Sequence, residues 1–360
     1  MKSLLTLGSL VLGVLFSTIV LGQGITVPSA ASPAASITQS IGISTITVNY
    51  SRPAVKGRVI WGALVPYGWN KQGFGNNNSA PWRAGANENT TITFTHSARV
   101  EGKDVPAGSY GLFFVINNDN TAEVILSKDY RSWGSYWYNP EQDMLKATVP
   151  VKETEHTEFL TYGFIEPSKN STVLVLNWEK KQFPVKIEFA VDDIVIKNAE
   201  EELKGSVGFT YQGYLTAAAY CLQNNTHLEQ ALTWSDEAIK QNRSFATLIL
   251  KSDLLRHTGR AAEADKLMKE AMPLASENEL NNYGYQFIGT GKLDKAIEIL
   301  ARNTEKHPKS ANAWDSLGEA YALKGDKANA IKNFKRALSL NPSDNVRVNS
   351  EKYLKQLGAL

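Results

Sequence analysis

The chain has 360 residues, of which 42% are hydrophobic and 21% charged; these values suit about two ordinary globular domains and exclude global disorder. Its 38 Lys and Arg stand against 36 Asp and Glu, a net charge of +2, which argues against a nucleic-acid-binding protein. The single cysteine, Cys221, excludes an intrachain disulfide and a cysteine-based zinc site.

The charge balance is not local. The first acidic residue is Glu88, and between Gln23 and Asn87 stand Arg52, Lys56, Arg58, Lys71 and Arg83 with no acid among them. Residues 24–200 hold 16 basic and 17 acidic side chains and residues 201–360 hold 21 and 19, so neither half carries a global field and nucleic-acid binding is not expected.

Met1-Lys2-Ser3 is a short basic start, followed by an uncharged stretch over 4–21 rich in Leu, Val and Ile. Val20 and Gly22 sit at −3 and −1 of a cut before Gln23. This is the layout of a secretory signal peptide over 1–22. The alternative is an uncleaved anchor, since about 18 apolar residues are the lower limit for a membrane span; only then would the chain contact a membrane. No cysteine lies near the cut to carry a lipid. The expected location is outside the cytoplasm, in the periplasm, at the cell surface or secreted. Residues 23–36, small and with two prolines, read as a linker.

Residues 37–200 read as a β domain. Ser44-Thr45-Ile46-Thr47-Val48-Asn49-Tyr50 and Thr91-Ile92-Thr93-Phe94-Thr95 alternate polar and apolar, as half-buried strands do. The continuous apolar runs at 112–116 and 173–176 suit strands buried on both faces. Turn signals separate them, and many short strands with regular turns predict an antiparallel sandwich or barrel. Six tryptophans fall here: Trp61, Trp69, Trp82, Trp133, Trp137 and Trp178.

Four segments of this region are distinctive: Tyr50-Ser51-Arg52-Pro53-Ala54-Val55-Lys56-Gly57-Arg58-Val59-Ile60-Trp61-Gly62, Leu64-Val65-Pro66-Tyr67-Gly68, Trp82-Arg83-Ala84-Gly85-Ala86-Asn87-Glu88 and Val105-Pro106-Ala107-Gly108-Ser109-Tyr110-Gly111-Leu112. Together they resemble the bacterial domain-of-unknown-function family number 2911 over about residues 37–190. The resemblance implies an exported bacterial protein, sometimes joined to helical repeats, and implies no activity.

The chemistry of these segments offers two readings. Guanidinium groups pair with carboxylate or phosphate and stack on aromatic rings. Arg52, Lys56, Arg58, Trp82, Arg83 and Glu88 therefore form either a site for an anion or carbohydrate, or an internal network in which Arg83 pairs with Glu88 and Arg58 stacks on a tryptophan. The run Tyr130-Arg131-Ser132-Trp133-Gly134-Ser135-Tyr136-Trp137-Tyr138 suits a carbohydrate-stacking surface, an interface or, the reading adopted, core and loop packing.

From residue 201 the pattern becomes helical and repeats. Taking Ala311 as a first position, Trp314, Leu317, Gly318, Tyr321, Ala330, Phe334, Ala337 and Pro342 fall at positions 4, 7, 8, 11, 20, 24, 27 and 32. Units starting at Glu277, Phe245 and, more weakly, Gln212 follow the same plan at spacings of 32 to 34 residues. This matches the tetratricopeptide repeat, in which two antiparallel helices approach through small residues at positions 8 and 20 and one unit cannot bury its face alone. The prediction is four repeats over 205–342 with a capping helix over 343–360, giving an α+β two-domain protein with an all-α solenoid at its C-terminal end.

Tetratricopeptide arrays resembling this one bind peptides or proteins on a concave groove. The corresponding positions include Tyr220, Asp253, Arg256, Asn278, Asn281, Tyr285, Asn312 and Asp315. The alternative is a solvated face that serves only to pack on the β domain.

Catalytic signatures are weak. Ala107-Gly108-Ser109-Tyr110-Gly111 faintly resembles a nucleophile elbow, but a strand-like run follows it where an elbow needs a helix; a β-hairpin turn is expected instead. His96, His156, His227, His257 and His307 are scattered without ligand spacing. No catalytic residue, metal or cofactor is expected. The sequence therefore points to an exported, non-catalytic binding or scaffold protein whose repeats recruit a peptide or protein, with a carbohydrate or anionic ligand for the β domain as the alternative.

Overall fold

The computed structural model describes residues 31–73 and 75–360. The expected signal peptide and most of the expected linker lie outside these residues. Contacts divide the chain into two compact units between Phe189 and Ala190, earlier than the expected boundary near 200.

The first unit contains β1 (Ala34–Ile41), β2 (Ser44–Ser51), β3 (Asn70–Lys71), β4 (Ser79–Ala80), β5 (Thr91–Phe94), β6 (Ala98–Val100), β7 (Lys103–Val105), β8 (Gly108–Ile116), β9 (Thr121–Ser127), β10 (Asp143–Pro150), β11 (Lys152–Ile165) and β12 (Ser171–Glu188). Six strands form one antiparallel sheet in the order β1-β2-β5-β8-β9-β10, four form a second in the order β11-β12-β6-β7, and β3 and β4 pair separately. Residues 34–36, expected in the linker, are the start of β1, where Ala34 is paired with Ser51.

The sheets pack through alternate side chains, as a sandwich requires. Phe114 of β8 meets Phe183 of β12 with ring centroids 5.5 Å apart, and Tyr50 of β2 meets Tyr162 of β11 edge-on at 4.8 Å. The run 112–116 is buried on both faces, because Phe113, Val115 and Ile125 also pack outward against Ala80 and Tyr138. The expected hairpin turn around Ala107 is a crossover instead. β7 belongs to the second sheet and β8 to the first, and Tyr110 braces the corner by donating from its hydroxyl to Pro106 O at 2.9 Å. Ser109 shares a 2.8 Å hydrogen bond with Thr93 of β5, so it is a strand residue and no nucleophile elbow forms.

The second unit is helical: α1 (Val191–Glu202), α2 (Tyr211–Asn224), α3 (Leu228–Gln241), α4 (Phe245–His257), α5 (Ala261–Ala271), α6 (Glu277–Gly289), α7 (Leu293–Lys306), α8 (Ala311–Lys324), α9 (Lys327–Leu338) and α10 (Asp344–Gln356). Helices α2 to α9 form four successive hairpins. Position 20 of each repeat, Ala231, Ala264, Ala296 and Ala330, is 0% exposed. At position 8, Ser252 donates to Ala264 O at 2.9 Å across its hairpin, while Gly284 and Gly318 let Leu300 and Phe334 lie against the backbone. Helix α1 was not expected as part of the solenoid. Ile196, Ala199 and Leu203 pack on the first hairpin, and α10 covers the last one through Leu354 and Tyr353. Apolar hairpin faces are thereby covered at both ends. Among the described residues no helix is long and apolar enough to cross a membrane.

The close approach at position 8 yields a pair of opposite effects. A Cβ at Gly318 would lie 2.9 Å from the Phe334 ring, whereas nothing lies within 4 Å of one at Gly289. Gly318→Val should destabilise the helical unit by about 1–3 kcal/mol, and Gly289→Ala should stabilise it by about 0.5–1 kcal/mol. Urea denaturation followed by far-UV circular dichroism measures both; equal effects would contradict this packing.

Candidate functional site

In the β unit, the sequence candidates separate into two groups. Pro53 to Val55 leave β2 and cross to the other sheet: Leu160 N–H donates to Pro53 O at 3.0 Å and Val55 N–H to Glu158 O at 2.8 Å. Lys56 and Gly57 then adopt positive φ of 47° and 65°, turning the chain back so that Arg58 Nε donates to Val55 O at 3.1 Å. Arg58 also donates to Ala54 O. Lys56 N–H donates to Glu158 Oε1 at 2.9 Å. This backbone hydrogen bond contributes most to holding the Glu158 carboxyl below its usual range, a hydrogen bond with His156 comes next, and the charge of Lys56 adds the least.

Trp82 is fixed by two backbone hydrogen bonds to Phe114, of 2.8 and 2.9 Å. Its ring stacks on Trp178 with centroids 5.8 Å apart, and Trp61 meets both edge-on at 5.9 Å. Arg83 donates to Asn87 O at 2.6 Å and lies 4.9 Å over the Tyr136 ring. Gly134, at φ 57°, leaves room for this guanidinium, since a Cβ there would come within 2.5 Å of it.

Lys56, Arg58, Trp82 and Arg83 thus share one cleft of about 670 Å³, with Trp178 and Ser135 also in its wall and, among the described residues, no Asp or Glu lining it. Arg52 and Glu88 lie elsewhere. Arg52 donates to Leu160 O at 3.1 Å and to Thr161 Oγ1 at 2.8 Å, tying β2 to β11. Glu88 is exposed and lines a separate shallow groove with Asn49 and Asn89. The expected Arg83–Glu88 pair does not form: the left-handed Asn87, φ 60°, presents its carbonyl to Arg83 instead. Nor does Arg58 stack on a tryptophan; its guanidinium is turned to backbone carbonyls.

The aromatic run divides. Tyr138 is buried in the outer layer, as the packing reading expects, but Trp133 and Trp137 are 52% and 56% exposed. Trp178 and Ser135 were missed as cleft residues because they are remote in sequence from the basic motif and carry no local pattern that points to it.

In the helical unit, most expected groove residues are engaged between helices. Tyr220 donates to Asp192 Oδ1 of α1 at 2.7 Å, and burial together with this carboxylate pushes its hydroxyl up to about 12. Tyr283 donates to Asp253 Oδ1 at 3.1 Å, and Tyr285 to Glu319 Oε2 at 2.8 Å. Arg256 pairs with Asp265 at 2.5 Å. Asp315 is 5% exposed and accepts hydrogen bonds from Asn349, at 2.8 Å, and Ser350 of α10. It holds the capping helix and does not line an open groove. Asn278 is exposed, and Asn281 and Asn312 are half-buried.

Asp253 and Arg256 open on a second cavity of about 670 Å³. Leu222, Tyr283 and Phe287 supply apolar surface, while Arg256, Lys292 and Lys295 bring positive charge. His227 lies 3.2 Å from Asp193. Cys221 is buried in the first hairpin, and burial pushes its thiol up to about 11, so it is unreactive at neutral pH.

Burial raises the Asp253 carboxyl above its usual value. A raised folded-state value means that stability linked to this proton is present at low pH and is lost as pH rises through that value. Between pH 7 and about 4, the parent protein should gain stability relative to Asp253→Asn. Urea denaturation of both proteins across this range measures the difference; parallel profiles would contradict the assignment.

Comparison with known proteins gives two family matches. Residues 32–187 match the model described as "Protein of unknown function (DUF2911)", and residues 311–344 match the tetratricopeptide repeat. Cellulose synthase operon protein C of Escherichia coli (strain K12) is 30% identical over 119 residues, covering 32% of this chain and 10% of the relative. Superkiller complex protein 3 of Homo sapiens is 37% identical over 59 residues, covering 16% and 4%. The chain therefore spans a tenth or less of these curated relatives. A solved structure described as "Functional Characterization of Pseudomonas Aeruginosa pilF" covers 42% of this chain and 71% of its own at 18% identity, with a TM-score of 0.27. On these matches, the β unit carries a domain of the DUF2911 family and the helical unit after it carries a tetratricopeptide repeat.

Proposed function

We propose that this is an exported, non-catalytic scaffold whose solenoid recruits a peptide or protein segment that is acidic and carries an apolar anchor residue. The observation that carries this reading is the cavity beside Asp253. Its apolar surface from Leu222, Tyr283 and Phe287 suits a buried side chain, and Arg256, Lys292 and Lys295 favour negative charge around it. Asp265 and Glu298 partner Arg256 and Lys295, so Lys292 is the cation best placed to meet a ligand. The groove tyrosines are held by neighbouring helices, which presents the ligand with a preformed surface and lowers the ordering cost of binding. The name of the human relative, a complex subunit, agrees with a recruiting role. Export rests on the leader-like residues 1–22 and places the protein in the periplasm or at the cell surface.

Short random peptides displayed on phage and selected on the full chain should converge on acidic sequences with an apolar residue. Lys292→Glu should weaken a selected peptide about tenfold in fluorescence anisotropy. Peptides without acidic residues, or binding unaffected by Lys292→Glu, would contradict the proposal.

Export has its own check. Mass spectrometry of the protein from its native host should find an N-terminus at Gln23 in a fraction outside the cytoplasm. An intact Met1 in the cytoplasm would contradict it.

A further inference from the structure

We infer that the cleft of the β unit is a binding site for an acidic saccharide, a sugar chain bearing carboxylate or sulfate groups. This inference concerns the other unit and is independent of the solenoid's proposed role.

The charge comes first. Arg58 and Arg83 line the cleft, and their hydrogen bonds go to the neutral carbonyls of Val55, Ala54 and Asn87. A carbonyl fixes a guanidinium without cancelling its charge, and arginine stays protonated. Among the described residues no carboxylate lines the cleft or is ion-paired with either arginine. Lys56 adds a third cation, partly offset by Glu158 behind it. Such a recess attracts an oxyanion, which guanidinium groups can bind with charge-assisted hydrogen bonds.

The remaining surface selects the body of the ligand. Trp82 and Trp178 form part of the wall. Indole faces are large apolar platforms with a polar edge, suited to the C–H face of a sugar ring. Ser135 is 2% exposed and lines the cleft, yet among the described residues its Oγ has no hydrogen-bond partner; a buried hydroxyl left so is costly unless a ligand completes it. Asn70 and Gln72 add amides that donate and accept. Neutral groups of both senses match a polyhydroxylated ligand better than a lipid or a nucleobase. The volume lies within the roughly 300–1,000 Å³ of small-molecule sites, and the recess is poorly shaped for a flat membrane.

Calorimetry on the full chain tests this with trigalacturonate, a sulfated galacto-oligosaccharide, neutral galactotriose, inorganic phosphate, AMP and anionic phosphatidylglycerol vesicles. One or both acidic saccharides should bind at one site per chain, at least about tenfold more tightly than galactotriose. Which of them binds identifies the oxyanion. Arg58→Gln and Lys56→Gln should each weaken that binding about tenfold. Should Arg58→Gln lower the melting temperature, the exposed Lys56 carries the charge test. The inference is overturned by no binding of either acidic saccharide, by equal binding of galactotriose, by phosphate, AMP or vesicles binding as tightly, or by Lys56→Gln retaining full affinity.

Discussion

Arginines held by backbone carbonyls are the constraint on which the β unit depends. Arg52 joins β2 to β11 through Leu160 O, Arg58 folds the turn after β2 back on Val55 and Ala54, and Arg83 locks the 83–87 loop through Asn87 O. Each bond gives a backbone carbonyl a charged donor, and buried backbone needs such partners. Because the acceptors are neutral, the charges survive. Arg52 uses its fork to close the sandwich, whereas Arg58 and Arg83 face a cleft that no carboxylate lines among the described residues. Architecture and binding are therefore not competing readings of these arginines, since the same bonds that order the loops leave the cations available.

The helical unit uses the converse arrangement. There the fixed groups are carboxylates, and neutral hydroxyl and amide donors hold them: Tyr220 on Asp192, Tyr283 on Asp253 and Tyr285 on Glu319, with Ser350 and Asn349 on Asp315. These bonds link one helix pair to the next or to a capping helix. They act beside apolar packing that depends on small residues at positions 8 and 20, so the solenoid is set both by shape and by a polar ladder on its inner side.

The repeat spacing was legible because each unit needs the same small and large residues to stack, and the resulting helix pairs follow the units read from Gln212, Phe245, Glu277 and Ala311. The strands around Ser44 and Thr91 were legible because one face is buried. Helix α1 was hidden by its acidic composition, which reads as solvated charge until Ile196 and Leu203 find the first hairpin. Proximity in sequence suggested Glu88 as the partner of Arg83, but the left-handed Asn87 reverses the backbone and supplies a carbonyl instead. Asp315 occupies a groove position by repeat register, yet the last unit meets α10 there. The cations of the cleft were visible as a run without acids; Trp178 and Ser135 become their neighbours only when distant segments fold together.

The central claim is that the cleft cations keep their charge because carbonyls, not carboxylates, anchor them. Anomalous diffraction from crystals of the full chain soaked in selenate tests it directly. The account predicts a selenium peak within hydrogen-bond reach of Arg58 and Arg83, with Val55, Ala54 and Asn87 carbonyls still bound to them. A carboxylate seated on either guanidinium, with no selenium in the cleft, would contradict it.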